Sequence, residues 1–151
     1  MILEKYKPMI PQLETTIKIL EQMGITMMAM EDRHVKIMMP IDKNRSHINT
    51  VYAGSLFSLA EFSGGAIFLA SFDHTRFYPI AKAMCIQYRK MAMTDVFLEV
   101  TLTPDQVAEI TRAAEEKGKA DYSMELEIRN ADGDVVCTAQ GTWQMRKWPG
   151  K

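Results

Sequence analysis

The chain has 151 residues, 47% of them hydrophobic and 25% charged, and its eighteen basic and nineteen acidic residues leave a net charge of −1. This is one domain's worth of chain, long enough to bury about 68–70% of its extended surface. Average composition excludes disordered, collagen-like and disulfide-scaffold classes, and the near-neutral charge argues against a nucleic-acid binder, whose phosphate contacts need a basic excess.

Residues 1–151 therefore read as a single domain. The opening stretch carries Glu4, Lys5 and Lys7 with Pro8, which is not the pattern of a signal peptide. Cys85 and Cys137 belong to no Cys-x-x-Cys pair and read as buried reduced thiols. Both features set the expectation of a cytoplasmic protein.

Ile10, Leu13, Ile17 and Leu20 form one apolar stripe, which predicts a first helix over about 9–23 that stops at Gly24. Ile25–Met30 and Val35–Met39 are short apolar runs about a charged Glu31-Asp32-Arg33 turn and predict a hairpin, ended by Pro40. Its methionines suit adaptable core filling, or a deformable wall for a flexible ligand. From Tyr52 to Phe72 the only charge is Glu61. That run is long enough to span a bilayer, but a central carboxylate costs about 2.5–3.5 kcal/mol there, and the glycines and serines dilute the apolar drive. A helix over about 54–71, apolar on nearly all sides, must then be buried inside the protein, so no membrane is expected as a partner.

Pro79 opens an extended run, after which Val96, Leu98, Val100 and Leu102 alternate with polar neighbours, as do Tyr122, Met124, Leu126 and Ile128. Asp132-Gly133 marks a turn, and the alternation resumes through Val135, Cys137, Ala139, Gly141, Trp143 and Met145. Between these strands Thr103 and Gln106 form a capping box around Pro104, predicting a small helix over about 104–117. One-face alternation implies an antiparallel sheet with a wet side, hence an α+β layer architecture. A curved antiparallel sheet of about six strands wrapped around the long helix satisfies both patterns. That arrangement is the hotdog fold.

The chain has no G-x-S-x-G elbow, Walker A pattern, G-x-G-x-x-G or H-E-x-x-H, and His34, His47 and His74 are scattered, so no metal site is expected. The informative stretch is Asn44–Glu61, NRSHINTVYAGSLFSLAE. It resembles the hotdog thioesterases, and most closely the thioesterase domain also found fused to some bacterial acetyltransferases, whose loop-to-helix junction reads Thr, then Phe or Tyr, then Ala-Gly-Ser; here those are Thr50, Tyr52, Ala53, Gly54 and Ser55. The resemblance implies an acyl-CoA or acyl-carrier-protein thioesterase with no cofactor beyond the coenzyme A of its substrate. Free N–H groups at a helix start form an anion site, so Gly54 can hold the thioester oxygen as it becomes negative. Glu61, its pKa raised by apolar surroundings, is the expected base or nucleophile. Asn49, Thr50, Tyr52, Ser55, Phe57 and Ser58 complete the expected substrate-binding set, with a ligand slot between the central helices, walled by the Met-rich hairpin and by Phe57, Phe62 or Phe68. Lys43, Arg45, Arg89 and Lys90 are candidate contacts for coenzyme A phosphates.

Seven residues of helix put Glu61 about 10 Å along the axis from Gly54, too far to act on a carbonyl held at its own helix start. The resemblance implies the remedy, a homodimer or a tetramer built from it, in which the helix start of one subunit faces the acid of the other. Many related thioesterases carry His-Gly-Gly where this chain has Tyr52-Ala53-Gly54, and in some a Thr stands at the position of Gly65. The missing histidine keeps open a non-catalytic binder of acyl-CoA or acyl-carrier protein. A hotdog dehydratase would place Glu five residues after the glycine, where this chain has Leu59.

Overall fold

A computed structural model describes residues 1–150 of the chain. A short 3-10 turn, Glu4–Met9, leads into two short helices, α1 (Ile10–Thr15) and α2 (Lys18–Met23). The single helix expected over 9–23 is therefore broken. Thr15 and Thr16 turn their hydroxyls back onto the carbonyls of Pro11 and Gln12 at 2.7 and 2.6 Å, and Ile17 is extended at φ −93°, ψ 104°. Back-bonding hydroxyls followed by a β-branched residue make this the weakest point of the helix.

The hairpin β1 (Thr26–Glu31) and β2 (His34–Met39) follows, then the long helix α3 (Ala53–Ser71) and strands β3 (Phe77–Tyr88) and β4 (Val96–Thr101). The chain closes with α4 (Pro104–Lys117), β5 (Lys119–Asn130) and β6 (Val135–Lys147). The six strands form one antiparallel sheet in the order β1-β2-β4-β5-β6-β3. This curved sheet around a long helix is the hotdog architecture.

Burial explains the pairing of sheet and helix. β5 alternates exposed and buried along its whole length, and its inward residues Tyr122, Met124, Leu126 and Ile128 meet α3 together with Leu59, Ala66, Ile67 and Phe68. α3 is long and apolar enough to cross a bilayer, yet most of it is buried inside the fold, which makes it the core helix. It keeps one half-buried stripe, Gly54, Ser58, Glu61, Gly65 and Leu69, which follows the helical repeat of three and four.

The two sheet edges differ. The β1 edge is covered, because Leu3 donates to the Met30 carbonyl at 3.0 Å and Met30 donates to Met1 at 3.0 Å. The β3 edge is bare, and Ala81, Ala83, Cys85, Gln87 and Tyr88 are exposed along it. Pro79 is tolerated there because only an edge strand can do without an N–H. Cys85 is thus exposed, against the expectation of two buried thiols, since an edge strand has no neighbour to cover it; Cys137 is buried, and burial pushes its thiol up to about 11.

α3 and β6 approach closely around Trp143. A Cβ on Gly64 would lie 2.0 Å from the indole, and one on Gly141 would lie 2.2 Å from its far edge. The flat ring therefore fits only because both neighbours are glycine. Tyr122 stacks on the same ring at 6.0 Å between centroids and donates to the Gly64 carbonyl at 3.0 Å. Gly65, one residue on, has nothing within 4 Å of a Cβ position. Gly64→Ala should destabilise the fold by about 1–3 kcal/mol through overpacking, whereas Gly65→Ala should stabilise it by up to about 1 kcal/mol through helix propensity. Urea unfolding of the two variants checks the pair, and equal effects would contradict the wedge.

Candidate functional site

The loop before α3 is held by buried Asn44, whose side-chain amide N–H groups donate to the carbonyls of Met23 and Pro40, both at 2.7 Å, while its backbone carbonyl accepts from Tyr52 N–H at 2.8 Å. Ser46 and Thr50 close the loop through their hydroxyls at 2.9 Å, and Asn49 occupies its tip at φ +62°. Thr50 and Ser55 are buried and serve this scaffold, while Asn49, Tyr52 and Phe57 are exposed and Ser58 is half-buried. Ser58 donates back to the Gly54 carbonyl at 2.8 Å.

Tyr52 caps α3 with extended backbone and no side-chain capping bond. Its carbonyl accepts from Ser55 and Leu56 at 3.0 and 3.1 Å, which leaves the amides of Ala53 and Gly54 without an acceptor among the described residues. Two adjacent N–H groups at the positive end of a five-turn helix attract a carbonyl oxygen that becomes an anion. The Tyr52 ring leans over Gly54, where an added Cβ would meet it at 2.5 Å. From the other side Tyr88 donates its hydroxyl to the Ala53 carbonyl at 3.0 Å.

Glu61 lies two turns further along the same stripe. It opens into an apolar cavity of about 450 Å³ between α3, the start of β3, Trp143 and the N-terminal segment from Met9 through α1 to Ile17, with Met9, Leu13, Ile17, Phe62, Phe68 and Leu69 among its walls. Of the expected slot walls, Phe62 and Phe68 line this cavity, whereas Met27, Met30 and Met39 of the hairpin are buried in the core and Phe57 is exposed beside the start of α3. Larger hollows of about 610 and 550 Å³ lie on the outside of the sheet, and charged and polar side chains predominate in their walls.

Burial pushes the Glu61 carboxyl above the usual carboxylate range, and the Trp143 indole N–H partly opposes that shift. Trp143 and Glu61 line the same cavity, yet the buried indole N–H makes no hydrogen bond to Glu61 or to any other group among the described residues. Burial, and after it the charge on Glu61, pushes the Tyr122 phenol up. No group of metal-ligating side chains occurs among the described residues.

The structure thus brings Gly54, Tyr52, Phe57, Ser58 and Glu61 onto one accessible stripe and withdraws Thr50 and Ser55 into the scaffold. Of the candidate phosphate contacts, Arg45 is paired with Asp42 at 2.6 Å and Lys90 with Asp134 at 2.5 Å, while Arg89 donates to Thr138 at 3.1 Å. Sequence reasoning missed Trp143 and Tyr88. Trp143 was accessible from the Gly64-Gly65 pair, since adjacent glycines inside a helix ask for a large neighbour; Tyr88 left no such signal.

A family model described as a domain of unknown function, DUF4442, matches residues 18–145. No curated protein sequence matches the chain. Among solved structures, a protein of unknown function from Pseudomonas aeruginosa, described as a probable thioesterase, is 36% identical, with 98% of this chain and 99% of that one covered and a TM-score of 0.90. A protein of unknown function from Chlorobaculum tepidum superposes with a TM-score of 0.82 over 95% of each chain at 15% identity. A thioesterase from Haemophilus influenzae does so with a TM-score of 0.69, covering 90% of this chain and 87% of that one at 15% identity. The latter two share the fold.

The raised pKa fixes a sign. A folded-state pKa above the unfolded value means that the contribution to stability is full below the ordinary carboxyl pKa and is lost as pH rises through the folded one. Glu61→Gln should therefore raise the melting temperature at about pH 7.5, and the gain should shrink towards about pH 4. Calorimetry at the two pH values checks this, and a lower melting temperature at the higher pH would make the carboxylate a structural support.

Proposed function

The chain belongs to the DUF4442 family, a domain of unknown function, and from that premise and the geometry of its site we propose that it hydrolyses acyl thioesters carried on coenzyme A or acyl-carrier protein. One observation carries the reading: a carboxylate without a cationic partner opens into an apolar cavity, on the same stripe of the same helix as two free backbone N–H groups. A core helix accepts a carboxylate in such a place at a cost, and general-base chemistry near neutral pH is the use that a raised pKa fits. The thioesterase description of the Pseudomonas aeruginosa relative supports the same class.

In this reading the Ala53 and Gly54 N–H groups hold the thioester oxygen. The carboxylate takes a proton from water, whose oxygen adds to the carbonyl carbon. The carbon–sulfur bond then breaks, and the proton passes to the leaving thiolate, giving a carboxylic acid and a thiol. The acyl tail occupies the cavity behind Glu61. A reaction in which the same carboxylate attacks the carbonyl directly reaches the same products through an anhydride.

The roughly 10 Å between Gly54 and Glu61 requires two subunits, so the acting carboxylate is the partner subunit's Glu61. A partner is supported by the bare β3 edge and by exposed apolar side chains around the start of α3: Tyr52 at 56%, Phe57 at 38%, Tyr88 at 50%, Met91 at 66% and Met93 at 59%. The Val51 N–H donates to the Ala92 carbonyl at 2.8 Å, which brings the two methionines beside the junction. Apolar residues clustered at an open edge suit an isologous contact with a second copy.

A second reading, a binder without hydrolysis, is favoured by the Tyr52 ring, which lies over Gly54 and narrows the approach to its N–H. A panel of acyl-CoAs with free thiol as readout separates the two. Hydrolysis is expected, with affinity rising by up to about 0.8 kcal/mol per methylene until the cavity fills. Glu61→Gln should lower the rate about 10²–10⁴-fold while leaving affinity nearly unchanged. Tight binding with no thiol release by the unaltered protein would establish the binder instead.

A further inference from the structure

We infer that Trp143 is a positioning residue for Glu61: its indole N–H is the fixed donor that orients the carboxylate, an inference that deepens the thioesterase reading by supplying what holds its base. Three independent features meet in this side chain. It is only 1% exposed, and its Nε1 has no hydrogen-bond partner among the described residues. It lines the same cavity as Glu61. Its ring is locked between Gly64 and Gly141, with Tyr122 stacked on one face.

An apolar Phe would fill most of this space without burying a donor. An unpaired buried N–H typically costs about 1–3 kcal/mol, so a protein that builds a two-glycine slot to hold one has a use for it. Glu61 is the one carboxylate on the cavity that the indole lines, and no hydrogen bond joins the two in this structure. Active-site hydrogen bonds are often long or misaligned before substrate binds and tighten in the complex. Because the ring cannot move, the alignment must come from the carboxylate, whose rotamer the donor selects as the acyl group displaces water from the cavity.

The other polar groups around Glu61 do not compete for this role. From α1 and its end come Gln12 and Thr16, and Thr16 is engaged with the Gln12 carbonyl at 2.6 Å. From the turn before β3 comes exposed His74. From β5 comes Tyr122, whose hydroxyl is committed to the Gly64 carbonyl at 3.0 Å. Trp143 alone is both fixed and free to donate.

The first test needs no catalysis. In a Trp148→Phe background Trp143 is the sole tryptophan, and its emission should follow the ionisation of Glu61. A titration step with a midpoint above the ordinary Glu range of about 4.3 is expected, and Glu61→Gln should abolish it. A step that survives Glu61→Gln belongs to His74 or another group and overturns the pairing, as does the absence of any step. The second test is kinetic. Loss of the donor removes what favours the charged carboxylate, so Trp143→Phe should move the acidic limb of kcat/KM to higher pH and lower kcat by about 10–10²-fold with little change in KM. A folded Trp143→Phe protein with an unmoved limb overturns the inference. If the fluorescence pairing holds and no thioester is hydrolysed, the positioning stands and the thioesterase reading falls.

Discussion

Everything in this molecule depends on accommodating a helix that is apolar on all sides and carries a single carboxylate. A helix without a polar face cannot lie on a surface, so the sheet must curve around α3, and β2 and β3, with β4 and β6, supply most of the covering. A six-stranded sheet in one chain covers most of the helix and leaves the stripe from Gly54 to Leu69 half open. The segment from Met9 through α1 to Ile17 closes over the far half of that stripe and creates the apolar cavity. The near half, with the free N–H pair at its start, stays open beside a bare strand edge.

The close contact between α3 and β6 links packing to chemistry. Gly64 and Gly141 give up side chains so that Trp143 can lie flat between helix and sheet, and Tyr122 stacks behind it. Such a wedge fixes the rotation of the helix about its axis. It thereby decides that Glu61 faces the cavity and not the core, and it delivers a rigid donor to that carboxylate. The half-closed surroundings that raise the pKa of Glu61 come from the same arrangement. A site that trades stability for reactivity is where a core carboxylate belongs.

Much of the fold was legible in the sequence because its signals are local and periodic. The alternation in β5, the capping box at Thr103 and Gln106, and the single charge between Tyr52 and Phe72 each express one physical preference without competition. The break at Thr16–Ile17 was not legible: the apolar stripe runs through it, and only the hydroxyls bonding backward reveal that the helix cannot continue. Cys85 was misread because alternation cannot tell an edge strand from a central one. At the site, the junction and Glu61 stood out as rule-breaking residues, whereas the cavity walls depend on how the N-terminal helices fold back, which no local pattern encodes. Tyr88 and Asn44 act on backbone atoms distant in sequence, and that kind of partnership appears only in three dimensions.

The central claim is that a complete site takes its N–H pair from one subunit and its carboxylate from another. Mixed dimers test it most directly. Glu61→Gln subunits keep the donors, and Gly54→Pro subunits keep the acid but lose an N–H; each alone should be nearly inactive. When the two are unfolded, mixed in equal amounts and refolded, half the dimers should be mixed, each with one intact site, so thioester hydrolysis should return to about a quarter of the unaltered rate. Activity that stays at the level of the separate variants, although mixed dimers have formed, would contradict a shared site.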